Sequence, residues 1–195
     1  MARIFDKIIV CDLEATCWGE ELSKDQKNEI IEIGICTLNL ENGNISNPES
    51  ILVRPIFSTC SAYCTELTSL TQEKLLEEGI SYRNALRKIR ETYKPKNRVW
   101  ASWGDYDRVQ FERNCALYSE FYFSVTSKMP GISDYKFPFG RSHINVKDLF
   151  SVIYRLRKGI GVKKALKKLN FPFIGTPHRG VDDAYNIARI LQKLL

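Results

Sequence analysis

The chain has 195 residues and a mass of 22.5 kDa, which suits one domain with a substantial core and leaves no room for a second independent one. Apolar residues at 44% and charged residues at 27% exclude global disorder and a fibrous architecture. The net charge is +6, from 29 basic and 23 acidic residues. In chain order, residues 7 to 14 read as a buried strand ending in carboxylates, and the run from Glu29 to Leu40 reads as a second strand. Glu41-Asn42-Gly43-Asn44 supplies a hairpin turn, because Asn and Gly adopt positive φ cheaply. A third strand is expected around Ser50 to Arg54, closed by Pro55, so the first third reads as an antiparallel meander. Ser58 to Cys64 reads as irregular. Thr71 to Tyr93 carries Leu75, Leu76, Ile80, Ala85, Leu86 and Ile89 at helical spacing, divided by Gly79. Arg98 to Trp103 follows as a strand and Asp107 to Tyr118 as a helix. An aromatic loop over 119–142 comes next, with Phe121, Tyr122, Phe123, Tyr135, Phe137 and Phe139 packing against the body. His143 to Val146 is the last strand, and helices are expected over Lys147 to Arg157, Val162 to Leu169 and Val181 to Leu195. The pattern predicts an α/β fold, a mixed sheet flanked by helices.

The apolar run Ile8 to Cys11 meets Asp12 and Glu14 far short of a bilayer span, and Asp6 and Lys7 interrupt the apolar stretch a signal peptide needs. A cytosolic protein without membrane association is therefore expected. Six cysteines without an export signal read as free thiols. Cys60 and Cys64, like Cys11 and Cys17, lack the tight CxxC spacing of common zinc sites. Between Ser151 and Asn170 stand Arg155, Arg157, Lys158, Lys163, Lys164, Lys167 and Lys168 with no acid among them. Such a stripe suits a polyanion, although an isolated basic run is more often a solvated helix face.

The most informative stretch is Ile8-Ile9-Val10-Cys11-Asp12-Leu13-Glu14. Strand periodicity puts Asp12 and Glu14 on one face, about 6.5 to 7 Å apart. Two such carboxylates at the end of an apolar strand cost several kcal/mol to desolvate unless cations neutralise them; alternatively the strand ends at Cys11 and both acids face water. Asp105 and Asp107 stand where a strand gives way to a helix, and Asp107 could be a plain N-cap. His178-Arg179-Gly180-Val181-Asp182-Asp183 opens the final helix, with capping the plain role for Asp182. Only His143 and His178 are available as neutral-pH proton acceptors.

Asp12-Leu13-Glu14, Asp107 after a strand, and His178 with Asp183 five residues on resemble the three motifs of the DEDDh group of DnaQ-like 3′-5′ exonucleases, within the ribonuclease H-like fold. More narrowly, Asp12-Leu13-Glu14-Ala15-Thr16-Cys17, Tyr63-Cys64-Thr65-Glu66-Leu67-Thr68, Trp103-Gly104-Asp105-Tyr106-Asp107 and His178 to Asp183 with Asn186-Ile187-Ala188-Arg189 resemble the Eri-type RNA exonucleases, which include the 3′ histone-mRNA exonuclease. The match runs in order from about Lys7 to Leu195. The resemblance implies a mixed five-stranded sheet and a single exonuclease domain over 1–195.

It also implies that Asp12, Glu14, Asp107 and Asp183 hold two Mg²⁺, with Mn²⁺ as substitute. Asp12 would bridge the ions, Glu14 and Asp183 would complete the first, and Asp107 would serve the second. His178 is implied as general base, and the products as a 5′-mononucleotide and a strand one nucleotide shorter. Tyr63 and Tyr106 occupy positions that grip terminal bases in the resembled subfamily, Tyr106 standing where a Trp is expected; both could instead anchor core or loop. Thr16, Glu66 and Leu67 are candidates for the terminal ribose. Next to a phosphate-handling site, the basic stripe becomes a candidate backbone track. The expected partner is nucleic acid, RNA favoured over DNA, and the sequence names no protein partner. An exonuclease acting mainly on DNA and a non-catalytic RNA-binding module are the alternatives; loss of an acid or of the histidine would signal the latter, and none is lost.

Overall fold

The computed structural model describes residues 3–19, 27–128 and 134–195. Five strands are formed: β1 (Lys7–Ala15), β2 (Ile30–Asn39), β3 (Ile45–Leu52), β4 (Val99–Ser102) and β5 (His143–Asn145). They lie in the order β3-β2-β1-β4-β5, antiparallel from β1 to β3 and parallel from β1 to β5. This is the mixed sheet and the N-terminal meander that the sequence predicts. The helices are α1 (Ala62–Thr68), α2 (Gln72–Glu78), α3 (Tyr82–Tyr93), α4 (Tyr106–Thr126), α5 (Val146–Ile153), α6 (Val162–Lys168) and α7 (Gly180–Leu194). Among the described residues no helix is long and apolar enough to cross a membrane, and all six cysteines are free thiols.

Alternation along β1 divides the core between the two faces of the sheet. Ile9, Cys11 and Leu13 pack with Tyr82, Leu86 and Ile89 of α3 and Phe111 of α4. Ile8 and Val10 point the other way, onto Phe150 of α5, Leu166 of α6 and Ile187 and Leu191 of α7. Asp12 and Glu14 continue this second row, so the acids emerge on the α7 face just where the apolar residues run out. A smaller cluster, Ile31, Cys64, Leu70 and Leu75, seats α1 and α2 beside the end of β2.

Four boundaries differ from the sequence reading. β3 begins at Ile45, ahead of Ser50, because it is an edge strand in which Pro48 costs no ladder bond. α1 forms from Ala62, inside the stretch expected to be irregular, with Ser61 as N-cap accepting the Cys64 N–H at 3.0 Å. α4 runs on to Thr126, so the first part of the expected aromatic loop is helix. Phe121 packs edge-on to Phe57 at 5.0 Å and Tyr122 lies 6.1 Å from Tyr135; the loop's residues 129–133 lie outside the described residues. α5 stops at Ile153, and Arg155 takes φ +50°, which puts Arg155, Arg157 and Lys158 on a connection.

Candidate active site

Beyond Val10, the last β1 residue paired with β4, the outer edge of β1 loses its sheet neighbour. The Leu13 N–H is instead taken by Asp107 Oδ1 at 3.0 Å. Asp107 is therefore not the N-cap of α4, a place held by Asp105; it sits in the first turn, buried, with its carboxylate against the backbone of β1. On the other edge, Asp12 lies opposite Gly34 and Glu14 opposite Glu32.

Gly34 is what allows α7 to arrive. A Cβ there would stand 1.8 Å from the Gly180 carbonyl carbon, and one on Gly180 would stand 2.9 Å from the Gly34 nitrogen, so the first turn of α7 lies directly on the β2 backbone. Arg179 locks this approach. Its guanidinium donates to buried Glu32 at 3.1 and 3.2 Å, and the Gly180 N–H donates to the same carboxylate at 3.0 Å. Asp182 Oδ2 accepts the Thr176 N–H at 2.8 Å and Asp183 Oδ2 accepts the His178 N–H at 2.7 Å, which fixes the lead-in loop with His178 at φ +62°.

The result is a cluster. Carboxylate oxygens of Asp12, Glu14 and Asp183 all lie within 4.8 Å of one another. Burial, reinforced by Asp107 and Asp183, holds the Asp12 carboxyl well above the usual carboxylate range. Burial and then Asp183 push Glu14 up to about 9. Asp107 is raised to about 7 by burial against the opposing pull of the Leu13 N–H, and Asp183 to about 6 by burial against that of the His178 N–H. Left to themselves these groups retain protons that a free carboxylate would shed. A divalent cation removes that conflict, and hard carboxylate oxygens are the donors that Mg²⁺ and Mn²⁺ take.

The cluster forms the floor of a cleft of about 670 Å³ that Asp107, His178, Leu67 and Tyr106 also line. Leu67 enters from α1. Tyr106, half exposed, stands at the start of α4, its hydroxyl pushed up to about 12 by burial and then by Asp107. Tyr63 and Glu66 are exposed on α1 and do not form the cleft wall; the Tyr63 ring lies beside Gly19. Thr16 is fully buried, its hydroxyl bonded to Ser58 Oγ at 3.0 Å and accepting the Glu29 N–H at 2.9 Å, so the structure keeps it out of the cleft. His143 is turned to Ser102 Oγ at 2.9 Å, packs on Trp100 and lies 3.9 Å from the Asp105 carboxylate, and it does not line the cleft. Sequence reasoning missed Cys17 and Pro177 in the cleft wall and the Glu32–Arg179 pair behind it. The pair had no local signal, because its members are 147 residues apart.

A family model described as "Exonuclease" (RNase_T) matches residues 9–191. The chain is 26% identical over 215 residues to ERI1 exoribonuclease 2 of Xenopus laevis, covering 99% of this chain and 29% of that protein. It is 29% identical over 201 residues to 3'-5' exoribonuclease 1 of Rattus norvegicus, covering 98% of this chain and 53% of the relative. The chain thus spans between about a third and about half of the length of these two relatives. Among solved structures, the nuclease domain of 3'hExo, a DEDDh family member bound to rAMP, superposes with a TM-score of 0.80 at 26% identity, over 99% of this chain and 93% of that one.

Proposed function

The chain belongs to the exonuclease (RNase_T) family and has its ribonuclease H-like fold, and from that premise we propose that residues 1–195 are a single 3′-5′ exonuclease domain of the DEDDh type, acting on the 3′ ends of RNA. The observation that carries the reading is the convergence of Asp12, Glu14 and Asp183 within 4.8 Å, in a cleft that Asp107 and His178 also line. Asp12, Glu14, Asp107 and Asp183 would hold two divalent ions, Mg²⁺ in the cell. When bound, such ions lower the pKa of a water and stabilise charge on the leaving 3′ oxygen. The exposed imidazole of His178 accepts the proton of the attacking water. Tyr106, in the cleft wall, would stack on a terminal base and Leu67 would contact the terminal ribose, while Tyr63 and Glu66, exposed on the same helix as Leu67, would reach the strand from outside the cleft wall. The products are a 5′-mononucleotide and a strand shortened by one.

RNA is favoured because the relatives above are named exoribonucleases and the 3'hExo domain carries rAMP. The unbridged thiols fit the cytosolic setting expected from the sequence. The test uses matched single-stranded RNA and DNA labelled at the 5′ end, with Mg²⁺ or with EDTA. A ladder that steps down one nucleotide at a time and vanishes in EDTA is expected, faster on RNA. Equal or faster shortening of DNA would overturn the RNA assignment, and internal cuts would overturn the exonuclease.

A further inference from the structure

Charge is unevenly distributed on this chain. The seven basic side chains between Ser151 and Asn170 exceed the whole net charge of +6, so the remainder is close to neutral. The fold brings one end of this segment to the cleft. Trp103, just past β4, donates its indole N–H to the Ile160 carbonyl at 3.0 Å and so ties the connection before α6 to the sheet. Gly161 caps α6, and a Cβ there would meet nothing within 4 Å, so the chain faces open space at this point. Ala165 and Leu166 bury the inner side of α6 with α7. That anchoring leaves Lys163 and Lys164 exposed in the cleft wall.

Lys167 is also exposed and follows Lys163 by four residues, about 6 Å along the axis and on the same side of the helix. Among the described residues no carboxylate lies within ion-pair distance of Lys163, Lys164 or Lys167. Lys168, by contrast, is turned onto the Tyr154 ring at 5.5 Å. A row of uncompensated cations that begins inside an acidic cleft and leads away from it suits a polyanion entering end-on.

We infer that Lys163 and Lys164, continued by Lys167, are the phosphate track for the single strand on the 5′ side of the bond being cut. The cleft takes the 3′-terminal nucleotide and the preceding phosphates leave along α6. This rests on the exonuclease reading above and gives the bound strand its direction.

The experiment compares wild type, Lys163→Ala/Lys164→Ala, Lys163→Arg/Lys164→Arg and the distant control Lys193→Ala. Two substrates are used: a single-stranded RNA dodecamer, and the p-nitrophenyl ester of a nucleoside 5′-monophosphate, which has the scissile ester but no upstream strand. The double alanine variant should lower kcat/KM for the dodecamer relative to the ester about tenfold, mainly through KM, and flatten the salt dependence of dodecamer binding by about 1.4 log units per log unit of salt. The double arginine variant and Lys193→Ala should keep wild-type ratios. An unchanged ratio and salt slope would overturn the track and return these lysines to a solvated face, and so would an equal loss on both substrates. Binding is followed by fluorescence anisotropy in EDTA, so it is read without turnover. A wild type that cuts neither substrate, yet loses salt slope in the alanine variant, would sink the exonuclease reading and keep the strand path.

Discussion

The backbone N–H of His178 donates to Asp183 Oδ2 at 2.7 Å, and this bond holds His178 at φ +62°, in the left-handed region. One carboxylate therefore serves both the acidic cluster and the loop that presents the imidazole. His178→Asn separates the two roles, because Asn tolerates left-handed backbone and keeps the same N–H. The variant should melt like wild type and keep its stabilisation by Mg²⁺, while kcat falls about a hundredfold to ten-thousandfold. A kcat within a few-fold of wild type would remove His178 from the chemistry.

The raised carboxyls give the metal-free protein a defined pH dependence. Glu14 at about 9, Asp107 at about 7 and Asp183 at about 6 all lie above their unfolded values near 4. The folded chain thus binds more protons than the unfolded one between roughly pH 4 and pH 9, and stability without metal falls as pH rises through that window. A divalent ion requires the ionised cluster, so the melting-temperature increment from Mg²⁺ should grow from about pH 5.5 to about pH 8.5. Equal increments at the two pH values, measured against EDTA controls, would contradict the cluster as the metal site.

Gly34→Ala tests the contact that brings Asp183 to Asp12. Its new Cβ would fall 1.8 Å from the Gly180 carbonyl carbon, so α7 must retreat or the protein lose about 3 kcal/mol. Either way exonuclease activity should drop severely. Denaturant titration with activity measured alongside distinguishes the two, and a variant of wild-type stability and activity would show that the approach is dispensable.

Stacking predicts a different signature at the two tyrosines. Tyr63→Ala and Tyr106→Ala should each raise KM for single-stranded RNA by the equivalent of about 1 to 3 kcal/mol, with little change in melting, because both rings are half exposed. A fall in melting temperature without a KM effect would mark them as packing residues.

Much of this site could be read from the sequence because its parts are local. Ile8 and Val10 followed by Asp12 and Glu14 declare a strand that turns from core to acid, and His178 and Asp183 lie in one short lead-in to a helix. What was illegible depends on distant partners. α1 is one short helix announced only by the Ser61 cap. The tail of α4 is helical beside Phe57 and Tyr135, which approach it only in the fold. Thr16 carries the motif residue type expected to face substrate, but Ser58 and Glu29 draw its hydroxyl inward. The Glu32–Arg179 pair joins β2 to the start of α7, across most of the chain.

That the carboxylate cluster drives removal of nucleotides from an RNA 3′ end can be decided by following 5′-mononucleotide release from single-stranded RNA by wild type and Asp183→Asn in Mg²⁺. The side-chain oxygen of Asn still accepts the His178 N–H, so the variant should fold and retard RNA on a gel as wild type does. Steady mononucleotide release by wild type and none by the variant is expected. Wild type that retards RNA yet leaves it intact with both Mg²⁺ and Mn²⁺, or a variant that releases mononucleotide at the wild-type rate, would contradict it.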